Sequence, residues 1–429
     1  MDSETSGRPR FWQFIWVVLL FIALATLLKL PTILNERTEP DESVYLTLAY
    51  RMLNGQPYSL QGTEVMKILS PGIYDHPLFH HPPLFPALLV PFVAAKHSRS
   101  GIFLSWLGHG LSIVGVAMLL WRMMAKHEKT ISPFSVCIWV PLLGIALDPL
   151  CLFLSGKIWV EDLQNGLMFL SLGSVMLADG KRKSLFLLAG GVSLGLAALM
   201  KLVALVASPI LALAVFMNEK YRWKETFFSL LWVGVPALVL IAPWLIVFYK
   251  QFGVLLPSWY KPDAYTIENY PFIRAAVNRQ WYYYVVQLCM ITPVFLLTVL
   301  CFVFNREMRK HRCMVISMAW FTFIFVVMTA ISVTGAGFQM RYISASVASL
   351  YVLTAGCILF SQRAQLITII AALLIAYSGV TYGSFVWQAG MDQMPTVFEY
   401  FKLKREYKLR LERMKQPPHS IPTPLERKP

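Results

Sequence analysis

The chain has 429 residues, of which 57% are apolar and only 14% are charged, and its mean hydropathy is +0.57. A soluble domain carries about a quarter charged residues, so this composition excludes an ordinary soluble protein. The formal net charge is +15. Its Lys and Arg residues cluster in short loops between long apolar runs, which is typical of loops that face the cytoplasm and anionic lipid and does not indicate nucleic-acid binding.

Apolar runs recur along the whole length and predict an all-α polytopic membrane protein with about eleven transmembrane helices. One apolar stretch is too long for a single span, and Lys201 divides it into two. The predicted spans are 11–33, 101–121, 133–153, 160–178, 184–200, 202–217, 227–249, 284–304, 313–333, 343–360 and 364–387.

Basic residues fall at alternate connections between these spans, which predicts that the N-terminus and the basic loops face the cytoplasm. The segments 34–100 and 250–283 then face the other side. The first apolar run is too long for a signal peptide and lacks a cleavage site, so it indicates a retained anchor. We interpret 1–390 as one transmembrane domain and 391–429 as an amphipathic basic helix followed by a disordered Pro-rich tail.

The first large loop opens with two adjacent carboxylates, Asp41 and Glu42, directly beyond the first span. An apolar stripe from Val44 to Leu53 predicts an amphipathic juxtamembrane helix that lies on the membrane surface. Carboxylates in this place can handle a proton, a metal ion or a hydroxyl group. They can also simply favour the positive end of the helix dipole, and both roles stay open.

A second acidic pair, Glu161 and Asp162, begins the fourth predicted span on the same side of the membrane. Charged groups near bilayer depth are costly and mark function, although helix capping is an alternative. His80 and His81 end the first loop beside two prolines. Clustered histidines can bind a divalent metal, but their spacing matches no closed zinc site and also suits a solvated turn.

Two cations stand out at the ends of apolar runs. Lys201 lies between two of them, and Arg341, followed by Tyr342, begins the tenth predicted span. Such side chains can extend to lipid head groups. They can equally hold a phosphate, because a fixed positive charge stabilises a departing phosphate oxygen. The six cysteines fall mostly in apolar runs and indicate buried free thiols.

Short motifs follow one another in a definite order along the chain: Asp41-Glu42-x-x-Tyr45, His81-Pro82-Pro83-Leu84-Phe85-Pro86, the acid at the fourth span, Lys201, Tyr282-Tyr283-Tyr284 with Pro293, and Arg341-Tyr342. Their order and spacing resemble the GT-C membrane glycosyltransferases, in particular the relatives of protein O-mannosyltransferases and of the lipid A aminoarabinose transferase. The resemblance spans roughly residues 11–360, and this chain departs from it in lacking a large C-terminal soluble domain.

The resemblance implies roles for individual residues. The first-loop acid of the family matches Asp41, with Glu42 beside it, and the second acid matches either Glu161 or Asp162. The donor phosphate would meet Lys201, with Arg341 and Tyr342 as further candidates. Weaker candidates for contact with the acceptor or with a metal ion are Tyr45, His80 and His81.

The resulting hypothesis is a multi-pass glycosyltransferase, with the plasma membrane of a prokaryote favoured over the endoplasmic reticulum. A sugar would move from a polyprenyl phosphate to an acceptor hydroxyl on the non-cytoplasmic face, with inversion at the anomeric carbon. The acceptor is a lipid, a glycan or a protein. A transporter or flippase of lipid-linked substrates and a non-catalytic membrane assembly subunit are the alternatives.

Overall fold

The regular structure is entirely helical throughout the described part of the chain. The computed structural model describes residues 8–34, 40–63, 65, 81–126, 131–253, 268, 274 and 276–386. His80 and the amphipathic tail predicted after residue 390 lie outside these ranges.

The described helices, numbered in chain order, are α1 (Arg8–Lys29), α2 (Pro40–Leu53), α3 (Leu84–Ala94), α4 (Ile102–Lys126), α5 (Val136–Leu147), α6 (Pro149–Ser155), α7 (Val160–Leu177), α8 (Lys183–Met200), α9 (Ser208–Asn218), α10 (Trp223–Phe252), α11 (Tyr283–Ile291), α12 (Val294–Phe304), α13 (Arg306–Lys310), α14 (Arg312–Ile331), α15 (Met340–Phe360) and α16 (Ala364–Val386). Short 3₁₀ turns lie at Leu30–Leu34, Ser98–Gly101, Gly180–Arg182 and Leu202–Ala207.

Seven of the described helices are long and apolar enough to cross a membrane. Two bent pairs, α5 with α6 (45°) and α11 with α12 (105°), raise the number to nine if each pair is one span. Every predicted apolar segment is helical, but the count of eleven is not confirmed. Helix α7 is made more polar by Glu161, Asp162, Gln164 and Asn165, and 202–218 is divided into a 3₁₀ turn and a short helix.

Helix α7 lies in the interior of the bundle, where glycines let α4 approach it closely. A Cβ atom at Gly108 would lie 2.3 Å from the backbone of α7, and one at Gly166 would lie 2.2 Å from the Gly108 carbonyl oxygen. Small residues at helix contacts allow such close packing in membrane proteins. The start of α7 is therefore held firmly against α4.

The juxtamembrane helix predicted in the first loop forms α2. Its stripe from Val44 to Ala49 is largely buried, and Leu53 at its end is exposed. At this end of the bundle α1 and α8 finish while α4, α7 and α15 begin. The ends of distant sequence segments are thereby brought together.

Candidate functional site

Two carboxylates and two cations converge at this end of the bundle. The Arg341 guanidinium forms an ion pair with the Asp41 carboxylate, and its Nη1 lies 3.9 Å from Glu161 Oε1. Lys201 Nζ lies 3.1 Å from the same Glu161 oxygen. We call these four side chains the ionic cluster. Three of its members begin α2, α7 and α15, and the fourth follows α8.

The four side chains of the ionic cluster differ in their exposure to solvent, from buried to partly exposed. The exposed fraction of the side chain is 6% for Glu161, 16% for Arg341, 24% for Lys201 and 34% for Asp41. Within the described residues, Glu161 Oε2 and Arg341 Nε are buried and have no hydrogen-bond partner. Buried polar atoms are normally paired, so this hydrogen-bonding capacity suits a polar ligand.

The position of Lys201 follows from a break in the helical run. Helix α8 ends at Met200, and Lys201 adopts an extended conformation (φ −160°, ψ 125°) before the 3₁₀ turn begins. The predicted division of the apolar stretch at Lys201 is thus confirmed. The break directs a lysine from the interior of an apolar sequence toward the ionic cluster.

Aromatic rings lie beside the two cations. The Arg341 guanidinium is 5.0 Å from the centre of the Trp159 ring and 5.5 Å from that of Tyr342. Lys201 Nζ is 6.0 Å from the Tyr342 ring centre. Such cation–π contacts favour the charged side chains and restrict their movement. Trp159 was not among the residues predicted for the site, although it directly precedes α7.

The second carboxylate of α2 lies away from the ionic cluster. Glu42 is fully buried, and its Oε1 accepts hydrogen bonds from the Ile158 N–H (2.7 Å) and from Arg99 Nη1 (3.2 Å). Arg99 also donates to the carbonyls of Thr32 and Gly156. Burial raises the pKa of the Glu42 carboxyl, while the bond from Ile158 and the charge of Arg99 oppose that rise. Glu42 therefore anchors the start of α2 to neighbouring segments.

The second acidic pair, Glu161 and Asp162, likewise has one member outside the ionic cluster. Asp162 is buried and interacts electrostatically with Lys29 of α1, which is itself 1% exposed. Lys29 Nζ lies 3.4 Å from His109 Nδ1, and His109 Nε2 lies 2.9 Å from the Ile145 carbonyl oxygen. Asp162 thus belongs to a separate buried polar group between α1, α4 and α7.

Tyr45 lies beside the ionic cluster, within the first loop. Burial raises the pKa of its phenol well above the ordinary value, and the negative charges of Glu161 and Asp41 raise it further. Its ring packs 5.2 Å from that of His81 and 5.0 Å from that of Phe85. Among the residues that the structure describes, there is no group of three or more His, Cys, Asp or Glu side chains that could hold a metal ion.

The overall fold is similar to two crystal structures of ArnT from Cupriavidus metallidurans, one bound to undecaprenyl phosphate and one in the apo state. Their TM-scores are 0.60 and 0.58, each at 16% sequence identity, and each match covers 89% of this chain and 67% of the ArnT chain. No protein-family model and no curated protein matches the sequence. The likeness confirms the predicted all-helical, GT-C-like fold.

Proposed function

We propose that the protein is an integral-membrane glycosyltransferase that moves a sugar from a polyprenyl-phosphate donor to an acceptor hydroxyl. The observation that carries the proposal is the convergence of Lys201 and Arg341, from two different segments, at the end of the bundle where α2 lies. A polyprenyl phosphate places its phosphate at the membrane surface while its tail stays in lipid. The undecaprenyl phosphate bound in one ArnT structure supports this class of donor.

The two cations would receive the donor phosphate. Positive charge fixed beside the departing phosphate oxygen stabilises the charge that develops when the bond to the sugar breaks. Glu161 holds Lys201 and Arg341 near one point, so the second acid of the proposal is Glu161 rather than Asp162. Tyr342 packs against both cations and orients them.

Asp41 is the group that we assign as general base. It is the most exposed member of the ionic cluster, so an acceptor can reach it. The acceptor oxygen bonds to the anomeric carbon, the bond from that carbon to the phosphate oxygen breaks, and the phosphate keeps the electron pair. The hydroxyl proton passes to the Asp41 carboxylate. A single displacement of this kind inverts the anomeric carbon.

The setting of the site follows from the proposed orientation of the bundle. The ionic cluster would face the non-cytoplasmic side of a prokaryotic plasma membrane, and the acceptor would be a lipid, a glycan or a protein. Glu42 would act by holding α2, and through it Asp41, in place. A divalent metal ion near His81 stays a prediction.

A transporter is the competing function, because transporters use broken helices with polar groups at the breaks. Two bent helix pairs lie in the described part of the chain, and Asp148 lies at the break between α5 and α6. However, Asp148 accepts hydrogen bonds from two backbone N–H groups and from the hydroxyls of Thr292 and Tyr351. Because both oxygens of Asp148 already accept hydrogen bonds from the protein, this carboxylate caps a helix rather than binding a transported ion.

The direct test is an assay of the purified protein with a panel of polyprenyl-phosphate sugars and acceptors. We expect turnover with at least one donor, and we expect Asp41→Asn to lower kcat by about 10²–10⁴-fold while the protein stays folded, because the change removes only the ionisable oxygen. Asp179→Asn is the matched control, because Asp179 pairs with Arg122 at the opposite end of the bundle. Near-wild-type turnover by Asp41→Asn would remove Asp41 from catalysis.

A further inference from the structure

Helix α7 carries two amide side chains one turn after Glu161 that have no place in the chemistry described so far. Gln164 is 3% exposed, and its Nε2 donates a hydrogen bond to the Lys201 carbonyl oxygen at 2.8 Å. The same carbonyl accepts the Ala204 N–H at 3.0 Å. The backbone of Lys201, at the break after α8, is therefore held from two directions.

The neighbouring amide acts on the other cation. Asn165 Nδ2 donates to Ser344 Oγ at 2.7 Å, and Ser344 Oγ donates to the Arg341 carbonyl oxygen at 2.6 Å. Ser344 is buried in the first turns of α15. Two consecutive residues of α7 are thus connected to the backbone carbonyls of the two cations, Gln164 directly and Asn165 through one hydroxyl.

We propose that Gln164 and Asn165 are positioning residues that set the spacing of Lys201 and Arg341 for the donor phosphate; this inference rests on the proposed function. Lysine and arginine side chains are long, so the place of their charges depends on a fixed backbone. A neutral amide can fix that backbone without adding a charge that competes with the phosphate. Polar groups that hold binding residues in place matter, because small displacements weaken a site.

The alternative is that these amides only stabilise the bundle, as any buried hydrogen bond does. The protein contains a matched control for that role. Asn218 Nδ2 donates to the Val175 carbonyl oxygen at 2.8 Å, near the opposite end of α7. This bond has the same chemistry and length as that of Gln164, but it lies far along α7 from the ionic cluster.

The experiment compares Gln164→Leu, Asn165→Leu and Asn218→Leu in the full-length protein. The readouts are the melting temperature, the Kd for undecaprenyl phosphate, the KM for the donor and for the acceptor, and kcat. We expect a lowered melting temperature in all three. In the first two the Kd and the donor KM should rise about three- to tenfold, the effect of one hydrogen bond, with the acceptor KM unchanged. In Asn218→Leu the Kd and donor KM should stay at the wild-type values.

Ser344→Ala tests the Asn165 connection with a smaller change, in case Asn165→Leu fails to fold. It should raise the Kd as Asn165→Leu does, and the double variant should add little, because both changes interrupt one connection. If the wild type neither binds undecaprenyl phosphate nor uses any polyprenyl-phosphate sugar as donor, the proposed function fails and this inference fails with it. If the wild type binds and all variants keep its Kd, only the positioning role is overturned.

Discussion

At the scale of single residues, each acidic pair is divided by the geometry of its helix. Consecutive residues on an α-helix point in directions about 100° apart, so two adjacent carboxylates cannot both face one small site. Asp41 and Glu161 face the ionic cluster, whereas Glu42 and Asp162 lie against other parts of the protein. One member of each pair is thus available for chemistry, and the other fixes the helix that carries it.

Lys201 allows the phosphate role to be tested at one residue. A lysine that meets a phosphate at short range is a compact charge, and the planar fork of arginine fits the same space poorly. We expect both Lys201→Arg and Lys201→Ala to raise the donor KM. The rise should be larger in Lys201→Ala, at about tenfold or more over the wild type, and acceptor affinity should change little in both variants. Initial rates against donor concentration measure both effects.

The control for Lys201 is Lys183, which pairs with Glu219 at 2.5 Å at the opposite end of the bundle. Lys183→Ala should leave the donor KM unchanged. If Lys201→Ala keeps both kcat and the donor KM, the phosphate role belongs elsewhere, and Arg341 becomes the leading candidate.

The sequence predicted the four members of the ionic cluster. It did not predict the residues that hold the other carboxylate of each acidic pair. Asp41, Lys201 and Arg341 stood out because charge is rare beside apolar runs. The sequence could not decide between Glu161 and Asp162, because the choice depends on which residues face each side of α7. Lys29, which lies near Asp162, is distant from it in sequence. Arg99 gave no signal of its own, because an arginine in a loop is ordinary.

At the scale of elements, the two bent helix pairs meet at one side chain. Asp148 caps α6 by accepting the N–H groups of Leu150 and Cys151, both at 3.0 Å. Its other oxygen accepts the Thr292 hydroxyl at 2.9 Å, where α11 ends before the bend, and the Tyr351 hydroxyl at 2.6 Å. One carboxylate thus connects both bent pairs with α15, the helix that carries Arg341.

We expect Asp148→Ala to destabilise the protein without changing its chemistry. Loss of a helix cap costs about 1 kcal/mol, and each buried group left unpaired costs about 1–3 kcal/mol more. The melting temperature should therefore fall clearly below that of Thr354→Val, a control that removes a buried hydroxyl bonded within its own helix. At temperatures where both variants are folded, kcat and the donor KM should stay near wild-type values. A large fall in kcat with a normal melting temperature would place Asp148 in the mechanism.

Hydrophobic runs predicted the helical segments well, because every segment long enough to span a bilayer is helical here. The sharp bends were not predicted. Pro293 lies at the 105° bend between α11 and α12, and the neighbouring Thr292 hydroxyl donates a hydrogen bond to Asp148, which is far away in sequence. The length of an apolar run carries no information about such long-range contacts. The same criterion also predicted an ordinary span at α7, which contains several polar residues.

At the scale of the whole molecule, the two ends of the bundle carry different chemistry. One end holds the ionic cluster with its aromatic neighbours, and the other holds short basic loops. Two ion pairs, Arg122 with Asp179 (3.0 Å) and Lys183 with Glu219 (2.5 Å), connect those loops to one another. The loops therefore lie at a common end, as the predicted alternation of basic connections requires, and the ionic cluster lies at the opposite end.

The orientation of the bundle can be tested with single cysteines introduced into a background without the six native cysteines. Gln56, after α2, and Lys181, after α7, are both exposed, and α4, the α5–α6 pair and α7 lie between them. Gln56 follows α2 at the end of the bundle that holds the ionic cluster, and Lys181 lies at the end that holds the basic loops, so we expect the two positions on opposite sides of the membrane. Because basic loops stay in the cytoplasm, an impermeant thiol reagent should label Gln56→Cys in intact cells and Lys181→Cys only after permeabilisation. The background protein without added cysteine controls for other labelling, and it must keep donor turnover. The reverse pattern would place the ionic cluster on the cytoplasmic face and require a donor presented there.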